Sequence, residues 1–463
     1  MINEFDLKIL HSCVNDLMET SYGLLFYDNL SGTMKNTENL VVVHLSATAV
    51  YVVIGSVVSE KDIRIMGVGQ VKSNDFYQGQ IKHRERLQSA IKQAIQEAED
   101  TANCRVHSVW LTLSTPELSS KNSVGQVAVE DGTVTAKDMV QALSDAKSKD
   151  LPADYYLMHC CQQGIYVDEQ DTIVDDAMEM LAKDITVMYH MMMMPVVSRQ
   201  NIQKLLQSCD VGVDHVVFDA ITSAEYSLIN EERQQGICLI DIGASTTSIC
   251  VYKENKLIFT HCVPSGSHAV TMDISADFGI SMIEAEKLKK LYGTVDVPSI
   301  DPSVFFLYKT QGAVDALNVH TYSLAQIIEA RYVQIFTEVA RQLHKADLLH
   351  YIDRGFVLTG GGSAIKGMVP FAKKLLKMPV VLTNTHPAIS AYNHFENEDS
   401  FKQLNTQVND RAYQTAFGTL LYSQSEQFRH SEQSEPEAAE QKRVKTAFRG
   451  VGHRFNNMLK KIL

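Results

Sequence analysis

Residues 237–247 read Ile-Cys-Leu-Ile-Asp-Ile-Gly-Ala-Ser-Thr-Thr, an apolar run of strand formers that ends in an acid, turns at Gly243 and continues in hydroxyl side chains. That composition suits a phosphate-binding turn. Gly243 permits tight backbone curvature. Successive N–H groups from Gly243 and Ala244 onward, with the hydroxyls of Ser245 and Thr246, can donate to phosphate oxygens. Asp241, at the strand end, is placed to orient Mg²⁺ through its water shell, as hard cations prefer. An ordinary hairpin turn uses the same residues, so the reading depends on what accompanies it.

Two other stretches accompany it. Residues 356–363, Phe-Val-Leu-Thr-Gly-Gly-Gly-Ser, read as a strand that runs into three glycines and then a helix expected near Ile365. Such a turn lets a nucleotide approach the backbone at Gly360, Gly361 and Gly362 and meet a helix N-terminus. Upstream by 197 residues, His44-Leu45-Ser46-Ala47-Thr48-Ala49 lies between the valine-rich runs 41–43 and 50–54 in the same strand-turn-strand arrangement. One recurrence at that spacing is a duplicated domain rather than a solenoid. It predicts two related α/β halves with a cleft between their turns.

The rest of the chain agrees with an α/β protein. Its 463 residues, 45% hydrophobic and 21% charged, suit two or three globular domains. A net charge of −13 argues against a nucleic-acid partner, because a polyanion is repelled. Eight cysteines without a Cys-x-x-Cys pair supply neither a disulfide framework nor metal-ligand spacing. Glu4 and Asp6 stand where a signal peptide carries lysines, so a reduced, cytoplasmic compartment is expected. The apolar stretch 40–58 approaches membrane-spanning length, but His44, Ser46, Thr48 and Ser56 interrupt it and predict two buried strands instead. The methionines at 188 and 191–194 read as part of a core strand over 185–192, since methionine fills irregular cores. Helices are expected over 84–103, from about 135 and over 198–209, with strands at 106–113 and 215–218. Within a leader of residues 1–38, Phe5, Ile9, Leu10, Cys13, Val14 and Leu17 space as one amphipathic helix.

Asp-x-Gly-x-Ser-Thr after one strand and Thr-Gly-Gly-Gly after another, about 120 residues on, resembles the actin-like ATPase superfamily and, within it, the bacterial FtsA cell-division family. The resemblance spans about 39–463 and includes 236–252, 263–279, 284–293, 329–332, 355–367 and 415–418. It implies an α/β fold of actin-like duplicated domains around a nucleotide cleft, with an inserted 1C subdomain and a C-terminal amphipathic helix. The implied order is an extension (1–38), subdomain 1A (39–114 and 197–235), the 1C insert (115–196), subdomains 2A and 2B (236–394), a return to 1A (395–422), a linker (423–441) and a membrane-targeting helix (442–463). The implied cofactors are ATP and Mg²⁺. In the family a glutamate and a lysine three apart grip ribose and adenine; Glu286 and Lys289 hold those positions, although the pair also suits a solvated helix face.

This sequence departs from the family at the phosphate turns. His44-Leu45-Ser46-Ala47 stands where relatives carry an acid, Ile, Gly and Thr; Ala244-Ser245 replaces Gly-Gly, and Ser248 replaces Asp. Ser46 adds a side chain where backbone should approach phosphate, and His44 removes a water-mediated Mg²⁺ contact. Contacts at Ser46 and Ala47 are therefore expected to be weakened, and hydrolysis more so. Asp219 falls where some bacterial actins place a water-activating glutamate, and reads either as a general base or as a helix cap.

The tail carries the second functional signal. Residues 423–440, polar and with five glutamates, read as a flexible linker. After Glu440 come Lys442, Arg443, Lys445, Arg449, Arg454, Lys460 and Lys461, and no acid. Val444, Phe448, Val451, Phe455, Met458, Leu459 and Ile462 recur at three- and four-residue steps, one apolar stripe on a basic helix. Such a helix lies in the headgroup region of an anionic membrane; docking on the protein's own core is the alternative. The resemblance implies a division scaffold rather than an enzyme. It would bind ATP, self-associate like actin, tie FtsZ polymers of the Z ring to the cytoplasmic face of the inner membrane at the septum, and recruit later division proteins through 1C. Arg331, where a helix is expected to open at Glu329, is the candidate to meet the acidic FtsZ tail, and a solvated helix start suits it as well. Two other classes remain. A cytoplasmic actin-like component of a pilus machine has no need of the terminal membrane helix. An active ATPase or phosphotransferase should keep the first Gly-Thr turn and its acid.

Overall fold

The valine-rich stretch forms two strands, β1 (Asn39–Leu45) and β2 (Ala49–Ser59), in a computed structural model that describes residues 39–59, 62–168, 172–309, 316–395, 398–425 and 428. Residues 41–45 and 49–56 are all buried, the pattern of strands covered on both faces. β3 (Asp62–Lys72) returns antiparallel to β2. On the other side, β6 (Ser108–Leu113) and then β11 (Gly212–Phe218) add in parallel, and β19 (Ile389–Ala391) flanks β3. A short hairpin, β4 (Phe76–Tyr77) and β5 (Gln80–Ile81), precedes the helix Arg84–Ala102.

A second sheet repeats this plan. β12 (Ile237–Ile242), β13 (Thr247–Lys253) and β14 (Lys256–Val263) form an antiparallel meander, and β17 (Phe356–Thr359) and β18 (Val380–Leu382) extend it in parallel. The order β14-β13-β12-β17-β18 matches β3-β2-β1-β6-β11 strand for strand. The recurrence seen in the turns is thus a recurrence of topology. A further hairpin, β15 (Phe305–Tyr308) and β16 (Leu317–His320), packs Phe306 and Tyr308 against the core of this half.

Between β6 and β11 the chain builds a separate antiparallel sheet. Its strands are β7 (Ser119–Ala128), β8 (Tyr155–Val167), β9 (Ile173–Val174) and β10 (Asp184–Pro195), in the order β7-β10-β8-β9, with the helix Ala136–Asp150 beside it. The methionine run lies in β10 and divides by the strand period of two. Met191 and Met193 enter this sheet's own core, whereas Met192 joins the core between the two larger sheets. The insert leans on β14, the edge of the second sheet. Ser120 Oγ donates to Thr260 O (2.6 Å), Gln163 Nε2 donates to Leu257 O (3.0 Å), and buried His190 bridges Asn122 Oδ1 (2.6 Å) and Thr260 Oγ1 (2.9 Å). Ser120 and Gln163 thereby engage main-chain carbonyls of an edge strand, which would otherwise be open to another chain.

Two helix starts differ from expectation. A 3₁₀ turn, Gly361–Ala364, takes in the last two glycines, Ile365 is extended, and the α-helix opens at Met368 rather than near Ile365. The helix bearing Arg331 opens at Thr321 and runs to Lys345, because Leu324, Ala325 and Ile328 are already drawn into the core upstream of Glu329. No disulfide joins any two of the seven described cysteines, six of which are buried. Among the described residues no helix is long and apolar enough to cross a membrane.

The expected leader (1–38) and tail helix (442–463) lie outside the described residues, as does most of the expected linker. Its beginning, however, is docked. Past the helix Gln414–Tyr422, the N–H of Phe428 donates to Ser425 Oγ (3.2 Å). Its ring sits 4.7 Å from Trp110, 5.1 Å from His215 and 5.7 Å from Tyr422, centroid to centroid. Trp110 and His215 face each other across β6 and β11. The chain is therefore held to the body at Phe428, beyond position 423 where the linker was expected to start.

Candidate functional site

The two turns line one cleft of ≈ 1040 Å³. Ser46 and Ala47 come from the first turn, and Asp241, Gly243, Ala244, Ser245 and Thr246 from the second. Gly360, Gly361, Gly362, Glu286, Lys289 and Asp219 complete the set picked from the sequence, and all of them line it. The common cause is topology: each group sits at the end of a strand or on a helix packed beside one.

The second turn is built to hold its shape. Gly243 N–H donates to Thr246 O (2.9 Å), while the N–H groups of Ser267 and His268, opening the helix Ser267–Phe278, donate to Gly243 O (2.9 Å) and Ala244 O (2.7 Å). Ser245 Oγ accepts from Gln78 N–H (3.2 Å), which leaves its own hydrogen to donate, and Thr246 Oγ1 shares a 2.7 Å hydrogen bond with Ser114 Oγ. The first turn offers less. Ser46 Oγ accepts from the N–H groups of Thr48 (3.3 Å) and Ala49 (3.2 Å) and donates to Ala49 O (3.0 Å), so its hydroxyl closes its own turn. Ala47 has no hydroxyl. His44 is buried, its imidazole pushed down to about 4 by burial and hence neutral at pH 7, and Nδ1 has no partner among the described residues.

The three glycines have different reasons to be glycine. A Cβ on Gly360 (φ +80°) would lie 2.2 Å from Asp241 Oδ1, and one on Gly362 would lie 2.6 Å from Ile242 Cγ2. A Cβ on Gly361 would meet nothing within 4 Å. Gly361 is thus the position where the backbone is bare toward the cleft. Tyr332 supports this loop by donating its hydroxyl to Gly362 O (2.6 Å). Glu286 and Lys289 are not a solvated face. Lys289 is buried, and its Nζ reaches Glu286 Oε2 (2.7 Å), Thr271 Oγ1 (2.8 Å) and Ser267 O (2.9 Å). Burial lowers the lysine's proton affinity, and Glu286 offsets this in part.

Asp219 and Asp241 form a buried acid pair. Asp219 is the first residue of the helix Asp219–Ser227, one past the N-cap position that Phe218 holds. Asp219 Oδ1 accepts from Ser248 Oγ (3.0 Å), and Asp241 Oδ2 accepts from Ser223 Oγ (2.5 Å). Burial raises both carboxyls, and the charge of Asp241 raises Asp219 further. The sign of the linkage follows. Each group binds its proton more tightly folded than unfolded, so stability is present at low pH and is lost as pH rises from about 4 through the raised values. Asp219→Asn keeps the acceptor for Ser248 and removes the repulsion. It is expected to raise the ligand-free unfolding midpoint above pH 7 and to confer no such gain near pH 4.5. A midpoint lowered equally at both pH values, measured by differential scanning fluorimetry, would contradict the pairing.

Arg331 is already occupied. Its Nε and Nη2 donate to Asp273 (2.6 and 2.7 Å), and Nη1 donates to Gln334 Oε1 (2.8 Å), so an incoming acidic tail would have to displace an internal carboxylate. The role read for Arg331 from the sequence therefore stays a proposal, one in which the incoming group competes with Asp273. Sequence reasoning missed Gln78, Ser114, Ser223 and Ser267, whose partners lie far along the chain. Tyr332, next to Arg331, belonged to a quoted stretch but carried no sign of where its hydroxyl goes.

A family model described as "Cell division protein FtsA" matches residues 238–418, and one described as "SHS2 domain inserted in FTSA" matches residues 116–193, nearly all of the four-stranded insert. Together they take in more than half of the chain. The chain belongs to the FtsA family. Cell division protein FtsA of Pseudomonas aeruginosa is 28% identical over 406 residues, covering 85% of this chain and 91% of that protein. FtsA of Escherichia coli K12 is 26% identical over 452 residues, covering 92% and 99%. A solved chain of the PilM-PilN type IV pilus biogenesis complex shares the fold with a TM-score of 0.59 at 16% identity, covering 84% of this chain and 99% of its own. That likeness is one of fold, and the FtsA matches decide against the pilus-machine alternative. The chain is a cell-division protein with an actin-like fold.

Proposed function

We propose that this FtsA-family chain is an ATP-dependent division scaffold that self-associates and ties FtsZ polymers to the cytoplasmic face of the membrane through its basic C-terminal helix. The observation that carries the nucleotide part is Gly361, whose backbone lies open to a cleft otherwise lined by donors and by the Glu286–Lys289 pair. An adenine nucleotide fits these residues. The bare glycine admits the phosphates, the Ser245 and Thr246 hydroxyls and second-turn N–H groups donate to them, and Glu286 and Lys289 meet the sugar and base. Bound Mg²⁺ would neutralise phosphate charge, held through water at Asp241. The first turn fits less well, since the Ser46 hydroxyl is closed on its own turn and Ala47 offers only a backbone N–H.

That imbalance favours binding over turnover. Catalysis needs preplaced donors around the reacting phosphate, and loss of one slows a reaction by about 100- to 1,000-fold. One feature favours the second reading, an active ATPase: Asp219 is raised toward the range in which a carboxylate works as a general base at neutral pH. Light scattering and phosphate release on the same samples separate the two. Mg-ATP is expected to promote self-association with phosphate release near the no-protein background, and Asp219→Asn to leave assembly intact. Steady-state release well above background, abolished by Asp219→Asn, would make the protein an enzyme.

A further inference from the structure

The β4–β5 hairpin reaches from the first half of the molecule onto the second phosphate turn. Its tip, Gln78-Gly79, has positive φ at both residues, +50° and +79°, a conformation that a non-glycine residue adopts only where its surroundings enforce it. Gln78 has such surroundings. Its N–H donates to Ser245 Oγ (3.2 Å), and its Nε2 donates to Pro264 O (2.8 Å) and Ser245 O (3.3 Å). These partners lie 167 and 186 residues further along the chain. Tyr77 adds an edge-on contact with His268, 5.7 Å between centroids. The root of the hairpin is fixed by buried Asp75, which accepts from Ser73 Oγ (3.2 Å) and Arg86 Nε (3.0 Å).

We propose that this hairpin is a latch on the cleft and that Gln78 is a positioning residue for bound nucleotide, an inference that rests on the nucleotide reading above. The backbone N–H fills an acceptor site of Ser245 Oγ, so the serine hydrogen is directed elsewhere and is available to a phosphate oxygen. The side-chain amide fastens the turn and its Pro264 support to the first half. Ligand release requires the halves to part, and parting breaks all three hydrogen bonds together. The latch therefore slows release more than it affects capture.

Gln78→Gly tests this in the full chain, since glycine accepts the positive φ and keeps the N–H while deleting the amide. With a fluorescent N-methylanthraniloyl ATP and Mg²⁺ in stopped flow, release is expected to accelerate roughly 10- to 100-fold, with the ligand-free unfolding midpoint unchanged or raised. Gln78→Lys, which restores a donor, is expected to recover slow release. In the nucleotide-free protein, amide exchange at Ser245 and Thr246 is expected to rise in the glycine variant. Unchanged release and exchange in Gln78→Gly, or a lowered ligand-free midpoint with unchanged release, overturns the latch while leaving the nucleotide reading in place. A parent protein that holds no nucleotide at millimolar Mg-ATP overturns both.

Discussion

Gly361→Asp is expected to abolish ATP-dependent thermal stabilisation while leaving the ligand-free midpoint close to the parent's. The three adjacent glycines make the test selective. Gly360 and Gly362 face Asp241 and Ile242 at distances no Cβ tolerates, so changing either damages the loop itself. Gly361 faces open space, and a carboxylate there both fills the cradle and repels phosphate. A ligand that binds only the folded state at 100 times its Kd contributes about 2.7 kcal/mol of stability, and that whole increment should vanish. Gly362→Ala is the control, with a lowered midpoint whether or not nucleotide is present. If the parent shows no shift with millimolar Mg-ATP, the self-closed first turn has abolished binding and the cofactor assignment fails.

Phe455→Glu is expected to release the protein from anionic vesicles with no change in thermal unfolding. The argument rests on the sequence of residues 442–463, where seven basic side chains accompany one apolar stripe and Phe455 lies near the stripe's middle. Each basic residue near an anionic surface contributes on the order of 1 kcal/mol, and burying a phenylalanine adds roughly 1.5–3 kcal/mol. The substitution removes that burial and places a negative charge against the headgroups. Together these weaken partitioning by on the order of 100-fold. Sedimentation with vesicles of stated anionic content reads the effect directly, and adding purified FtsZ reports whether polymers travel with the protein. Persistent vesicle binding by the variant would remove the tail from the account.

The parts of the site that could be read from the sequence are those whose chemistry is local. Asp241, Gly243 and the Ser245-Thr246 hydroxyls form one contiguous turn after one strand, and the triple glycine announces its own backbone demand. Helical charges were harder. Glu286 and Lys289 have the spacing of a solvent-exposed pair, and only the packing of Thr271 and Ser267 against Lys289 distinguishes them from one. The internal partner of Arg331 was hidden for the converse reason, because its carboxylate, Asp273, lies 58 positions away. Gln78 was invisible in principle: a glutamine beside a glycine reads as a turn, and its partners appear only when the two halves meet. The upstream start of the Thr321–Lys345 helix, by contrast, was there to be seen in the spacing of Leu324, Ala325, Ile328 and Tyr332.

The aromatic seat of Phe428 gives the molecule an optical gauge. Trp110 is the single tryptophan of the chain, so the protein's indole emission comes from one place. That indole is nearly sealed from solvent and lies against the rings of His215 and Phe428. Phe428 also precedes, along the chain, the segment that leads to the basic tail. Any load on that segment strong enough to unseat the phenylalanine would open the indole to water. That event changes emission colour and yield, so the coupling between tail and body can be followed in the unlabelled protein.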